Sequence, residues 1–193
     1  MGYAIARAAA VAGATVTLVS GPTSLPAPPG VTVIPIETAL QMQDAVERQT
    51  QHADAIIMAA AVADFRAALP SEQKIKKEPG VDRFELHLVR NPDIIAALDR
   101  PAIVKIGFAA ETDNLLEFAR QKLHAKKLAM IVANDAVASI GSDESALTLI
   151  RRGGAVEELP PMPKRESASI IVARIADMLG PAQKYHADGG EST

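Results

Sequence analysis

Apolar and polar positions alternate along the chain with two periods, and each change of period marks a new element. Residues 1–12 are alanine-rich and predict a helix stopped by Gly13. The apolar run 16–19, closed by Ser20-Gly21-Pro22, predicts a buried strand. A proline-rich turn over 26–30 leads into a strand over 31–36, where Pro35 marks an end or an edge. Thr38 then caps a helix whose apolar positions Leu40, Met42, Ala45 and Val46 fall on one face. Strands follow over 54–58, 103–108 and 130–133. Asn91-Pro92-Asp93-Ile94 reads as a helix start, with Asn91 as cap, Pro92 in the first turn and Asp93 favoured by the dipole. Thr112 or Asp113 caps a helix carrying Leu115, Leu116, Ala119 and Leu123. Residues 74–77 and 83–89 predict a hairpin turning at Glu78-Pro79-Gly80, with Phe84, Leu86 and Leu88 facing one way and Arg83, Glu85 and His87 the other. A second hairpin, 146–150 with 155–159, turns at Gly153-Gly154, and a last helix begins at Pro163-Lys164 and runs through Ile171, Ile175 and Met178.

Strands alternating with helices predict an α/β fold with a mostly parallel central sheet, formed by residues 1–180, with a polar tail over 181–193 expected to be disordered. The first hairpin interrupts that alternation and reads as an insertion that covers a site or makes a dimer contact. A strand following a helix as directly as 16–19 follows 1–12 is normally the second half of a strand–helix–strand crossover. The first strand and its phosphate-cradling loop are therefore expected before residue 1.

Composition narrows the classes. Only 3% of residues are aromatic, so the core must be built from Ala, Val, Ile and Leu. Without cysteine there is no disulfide, thiolate nucleophile or cysteine metal site, which fits a cytoplasmic setting. A formal charge of −3 argues against a dedicated nucleic-acid binder. No apolar run reaches the roughly 20 residues that span a bilayer, and no charged leader precedes the first apolar residues. The four histidines, His52, His87, His124 and His186, are scattered without metal-ligand spacing.

Candidate chemistry gathers where residues 55–58 run into Ala59-Ala60-Ala61, then Asp64, then the basic run Lys74-Ile-Lys-Lys77. Open parallel sheets bind ligands at the carboxyl ends of their strands, and small residues there let a ligand approach the backbone. Asp64 is placed to meet a ribose hydroxyl or a metal, or else serves as a turn residue. Lys74 and Lys76 share one face and could meet phosphate, or they guard an exposed strand edge. Lys122 and Lys126, four apart on a helix, repel each other unless an anion lies between them, although Lys126 also suits the negative end of a helix. Phe108 at a strand end either stacks on a base or packs in the core.

These stretches, taken together, resemble phosphopantothenoylcysteine synthetase. Met58-AAAVADF65 with Lys74-IKK77, Asn91-PDI94, Gly107-FAAET112, Lys122-L-x-x-K126 and Ile131-VAND135 stand in that family's order and spacing, and Val16-TLVSGPT23 and Thr38-A-x-x-M42 agree as well. The resemblance covers about residues 1–178. It implies a Rossmann-like three-layer fold in which the hairpin near 74–89 dimerises the protein. It also implies a ligase that joins 4′-phosphopantothenate to cysteine using CTP and Mg²⁺, through an acyl-cytidylate, with release of pyrophosphate and CMP. The bacterial form is commonly the C-terminal half of a bifunctional protein with a flavin-dependent decarboxylase upstream. By the same resemblance Lys74 is the catalytic lysine. Ala60, Ala61, Asp64, Asn91, Pro92, Asp93, Ile94, Phe108, Lys122 and Lys126 fall on nucleotide-binding positions, with Asp64 also a magnesium contact. The chain departs from the family in three places. The family's Asn-containing loop and Ser-Ser-Gly-Lys run, which precede the Met-Gly seen here, are absent. Ile140 replaces a usual Phe, and Ser145 a common Asn. The missing loop leaves room for an inactive nucleotide-binding fragment. From outside the family, a nicotinamide-dependent Rossmann oxidoreductase is the competing reading, against which stands the lack of an acid at the end of residues 16–19.

Overall fold

A computed structural model describes residues 1–71, 73–76, 83–111, 115–135 and 143–180. The expected turn at Glu78-Pro79-Gly80, the Thr112 or Asp113 cap, Lys77, Ile140 and the 181–193 tail lie outside the described residues.

Helix α1 (Gly2–Val11) is followed by the parallel pair β1 (Val16–Ser20) and β2 (Val31–Pro35). Gly13 ends the α1 segment at φ +90°, a conformation a side chain would strain. Helix α2 (Ala39–Gln49) starts with a full capping box: Gln41 N donates to Thr38 Oγ1 at 3.1 Å, and Thr38 N donates to Gln41 Oε1 at 3.0 Å. Then come β3 (Ala55–Met58), the short strands β4 (Phe65–Ala67) and β5 (Leu88–Arg90), and the single turn α3 (Ile94–Ala97). The chain continues through β6 (Val104–Glu111), α4 (Leu115–Ala125), β7 (Met130–Asp135), the hairpin β8 (Glu144–Arg151) and β9 (Val156–Pro163), and α5 (Lys164–Leu179).

The main sheet has the order β3-β6-β7-β8-β9, parallel from β3 to β7 and antiparallel across β8 and β9. Its parallel strands β3 and β7 read as near-continuous apolar runs because both faces of the sheet are covered. Met130 and Val132 join Ile5 of α1 and Ala168, Ile171 and Ile175 of α5 on one side. Ile131 and Ala133 meet Ala119 and Leu123 of α4 on the other. Helix, sheet and helix thus make three layers, as expected. The core is aliphatic: the largest fully buried side chains are Ile, Leu, Met and Val with one Ser, alanines fill the gaps between them, and three of the four Phe are exposed.

Close packing explains two sequence features. A Cβ on Gly107 would come within 2.7 Å of Leu128 Cδ1, so the glycine lets the α4–β7 connection lie against β6. Leu128 reaches that position because α4 ends in a Schellman motif, with Leu128 N donating to Leu123 O at 2.9 Å, Lys127 N to His124 O at 3.1 Å, and Lys127 at φ +52°.

Strands β1 and β3 share cover. Val19 packs with Ile56 and Met58 around Met42 and Val46 of α2, while α1 lies over Ile57 on the opposite face. Both point the same way, since their carboxyl ends meet the start of α1: Tyr3 Oη stands 3.0 Å from Ser20 Oγ, and a Cβ on Gly2 would be 3.6 Å from Ala59. Among the described residues each pairs with one neighbour, so two strand edges bound the interval between them.

The first expected hairpin is corrected. Pairing joins β4 to β5, Phe65 opposite Arg90, and Ala68 N donates to His87 O at 2.9 Å to extend it. The described residues 73–76 and 83–87 carry no strand. The pairing therefore starts nine residues earlier than the alternation of 74–77 predicts, because residues 65–67, not the lysines, meet Leu88–Arg90; the stretch that β4 and β5 enclose is the arm, and this pair is its base.

At the far edge, Arg174 of α5 clamps Glu157 of β9, with Nε donating to Oε2 at 2.8 Å and Nη2 to Oε1 at 2.7 Å. That fork holds the Glu157 carboxyl below its ordinary pKa, against a smaller opposing effect of burial. A depressed carboxylate stabilises the fold above its ordinary value near 4.5, and this contribution is lost as the pH falls through the lower folded value. Glu157→Gln is therefore expected to be less stable than the parent in urea at pH 7, with the gap narrowing as the pH is lowered below 4.5 and on through the depressed folded value. A gap that stays constant with pH would remove the clamp as its cause. Among the described residues no helix is long and apolar enough to cross a membrane.

Candidate functional site

The site forms where the loop after β3 meets the entry to α3, and Asn91 sews the two together. Asn91 Nδ2 donates to Ala63 O at 2.8 Å, and its backbone N donates to Asp64 O at 2.8 Å. Its Oδ1 accepts from Arg66 Nη1 at 3.0 Å, which also donates to Arg90 O at 2.9 Å. One side chain thus ties the strand-end loop, the base of the arm and the approach to α3.

Asn91 is therefore not the helix cap. Asp93 is: its Oδ1 accepts from Ala96 N at 3.2 Å, and Pro92 lies ahead of the helix, not in its first turn. The local signals favoured Asn91, but its amide is engaged by the loop, and Asp93 stands directly before the first helical residue. The other carboxylate oxygen of Asp93 meets Lys126 Nζ at 2.9 Å. Both groups are substantially exposed, so the pair contributes little to stability. Its consequence is geometric: it relieves the crowding of Lys122 and Lys126 and draws the end of α4 towards α3.

Ala60, Ala61 and Asp64 are exposed beyond β3. Phe108 follows Gly107, which pairs with Met58, so its ring lies one strand away from the alanine loop and packs partly on the core. Ile94 is buried with Met42 and Val46, so its side chain serves packing and only its backbone is left for a ligand. Lys122 is half-buried one turn before Lys126. Lys74 stands exposed on the arm and takes no part in the hydrogen bonds around Asn91. Ser145 is buried against Ser167, with the hydroxyl oxygens 3.2 Å apart, and has a structural place.

Among the described residues no group of three His, Asp or Glu could hold a metal by itself. A magnesium ion carried on a triphosphate needs only one or two protein carboxylates beside the phosphates. The exposed Asp64 fits that need.

Reading the sequence missed one feature. A crevice of about 670 Å³ opens at the carboxyl ends of β1 and β2, lined by Tyr3, Ser20, Thr23, Glu37 and Gln41 among others. It lies on the other side of the α1 start from Asp64 and Asn91. The signal was available in Ser20-Gly21-Pro22-Thr23, a small-residue turn directly after a parallel strand.

The sequence matches the DNA/pantothenate metabolism flavoprotein C-terminal domain family over residues 1–179. It is 42% identical over 189 residues to the coenzyme A biosynthesis bifunctional protein CoaBC of Vibrio vulnificus, covering 93% of this chain and 46% of that protein. To the CoaBC protein of Escherichia coli K12 it is 45% identical over 175 residues, covering 86% of this chain and 42% of the other. The chain thus spans less than half the length of these relatives. Its fold resembles the crystal structure of the C-terminal domain of a CoaBC protein, with a TM-score of 0.78 and 39% identity over 92% of this chain and 81% of that one.

Proposed function

The chain belongs to the DNA/pantothenate metabolism flavoprotein C-terminal domain family, and from that membership we propose that it carries phosphopantothenate–cysteine ligase chemistry. The carboxylate of 4′-phosphopantothenate attacks the α-phosphorus of CTP, and the bond to pyrophosphate breaks. The amine of cysteine then attacks the acyl carbon of the cytidylate and CMP leaves. The observation that carries this reading is the joining of Asp64, Asn91, Asp93 and Lys126 at the carboxyl end of β3, where a parallel sheet receives a nucleotide.

In this proposal Ala60 and Ala61 leave room for the nucleotide against the backbone, and Phe108 closes one side. Lys122 and Lys126 meet its phosphates, with Lys126 leaving Asp93. Asp64 binds the ribose or the magnesium ion, which when bound offsets negative charge on the phosphates. Lys74 is the catalytic cation. It reaches the site from the arm, and the arm is also the surface on which two copies dimerise. A flavin-dependent decarboxylase domain upstream, as in bifunctional proteins, and a cytoplasmic location complete the proposal.

The test is release of pyrophosphate from CTP, measured with and without 4′-phosphopantothenate, cysteine and magnesium. Pyrophosphate is expected only when CTP, phosphopantothenate and magnesium are all present. CTP binding without any turnover would instead mark an inactive nucleotide-binding chain, and binding of NADH but not CTP would overturn the ligase reading.

A further inference from the structure

Lys105 lies on β6 beneath the site, and its side chain is buried, 6% exposed. It shares a face of the strand with Gly107 and Ala109, towards α3 and α4. Its Nζ donates to Leu98 O, just past the end of α3, and at a longer 3.5 Å to Ile95 O. An ammonium taken out of water is tolerated only where such acceptors receive it.

The turn it meets cannot stand alone. Helix α3 has four residues, too few to stabilise itself. Its first end is held by the Asp93 cap and by Lys126, and its underside by the buried Ile94, Ile95 and Leu98. At the carbonyl end Lys105 adds a side-chain tie from beneath, beside Arg100 N, which donates to Leu98 O at 3.2 Å. Any shift of α3 would carry Asp93 with it, and through the adjoining Asn91 would pull on Ala63 and Asp64.

We propose that Lys105 is a positioning residue, which holds the Asn91–Asp93 segment in register for the nucleotide by anchoring the carbonyl end of α3 from beneath. The proposal rests on the ligase reading for what the segment binds, but the anchoring stands on geometry alone. Burial, with Lys127 and Arg152 adding to it and Asp99 opposing, holds the Lys105 pKa below its ordinary value, as expected for a cation fixed in the interior.

The absence of cysteine makes a clean test available. Lys105→Cys carries a unique thiol, which is alkylated in denaturant before refolding. Bromoethylamine rebuilds an amine at lysine's reach, and bromopropane gives the same length without one. Amide hydrogen exchange is followed over residues 94–99 and over β7, together with CTP binding and turnover. The propyl form is expected to exchange about ten-fold faster over 94–99, and to bind CTP about ten-fold more weakly, the size of effect that losing one charged hydrogen bond produces. Exchange in β7 and kcat should both stay within about three-fold of the parent. The aminoethyl form should match the parent in every measurement. The proposal is overturned if the propyl and aminoethyl forms behave alike, or if β7 loosens in step with α3. Should the parent protein bind no CTP, the ligase reading fails, while the exchange comparison still decides whether Lys105 anchors α3.

Discussion

Lys74→Ala is expected to slow CTP-dependent pyrophosphate release by about 10²–10³-fold, the cost of removing one donor aimed at charge that develops in a transition state. When a carboxylate attacks a triphosphate, two anions are brought together and charge builds on the leaving pyrophosphate. A cation placed there helps the transition state more than the bound substrates, so kcat should fall further than KM rises. The same change should leave thermal stability almost untouched. Lys74 is exposed on the arm, outside the three buried clusters, and surface changes of that kind shift stability by no more than about 0.5 kcal/mol. Lys74→Arg keeps the charge but replaces a compact ammonium with a planar fork, and should recover only part of the rate. Turnover of the alanine variant within about three-fold of the parent would show that the lysine has been given the wrong role.

The second large effect is on assembly. The arm and its base carry Phe65, Leu69, Ile75, Phe84, Leu86 and Leu88, each more than half exposed, with Leu69 at 90%. A chain with only four phenylalanines thus places two of them on this one projection, while its core is aliphatic. So many exposed large apolar side chains within one stretch of chain favour an interaction site there. The proposed occupant is the arm of a second copy. Phe84→Glu with Leu86→Glu should convert a dimer wholly to monomer in sedimentation at micromolar concentration, because a charge buried without a partner at an interface costs several kcal/mol. The melting of each protomer should change little, since both residues are exposed and neither belongs to a buried cluster. A parent protein that sediments as a monomer, or a double variant that remains a dimer, would remove the arm as the interface. If the two arms also exchange Lys74 between sites, the double variant loses turnover along with assembly.

Much of this was readable along the chain. Thr38 reads as a helix cap in the sequence and is one in the structure, Gly13 stops a helix in either view, and the strands at 16–19, 54–58 and 130–133 lie where the apolar runs put them. Such features depend on neighbours one to four residues away, so local chemistry decides them. Asn91 shows where that logic ends. A capping residue before Pro-Asp is a sound local reading, yet its amide lies against Ala63, Asp64 and Arg66, about 25 residues away in sequence. The arm failed for the same reason. Alternation marks 74–77 as a strand, but pairing is a choice between distant segments, and Leu88–Arg90 pairs with Phe65–Ala67.

Period, volume and charge along the sequence determined most of the element order outside residues 65–90, the α/β class with a mostly parallel sheet, the aliphatic core and the residue types gathered after residues 55–58. The tertiary structure decided which groups meet: Asn91 with Asp64, Asp93 with Lys126, Lys105 beneath α3, and Gly107 against Leu128. Each of those pairs is closed by packing elements whose separation along the chain carries no local signal. The edges of β1 and β3, without a pairing partner among the described residues, belong to the same class, because a strand shows its side-chain pattern in sequence but never its neighbour.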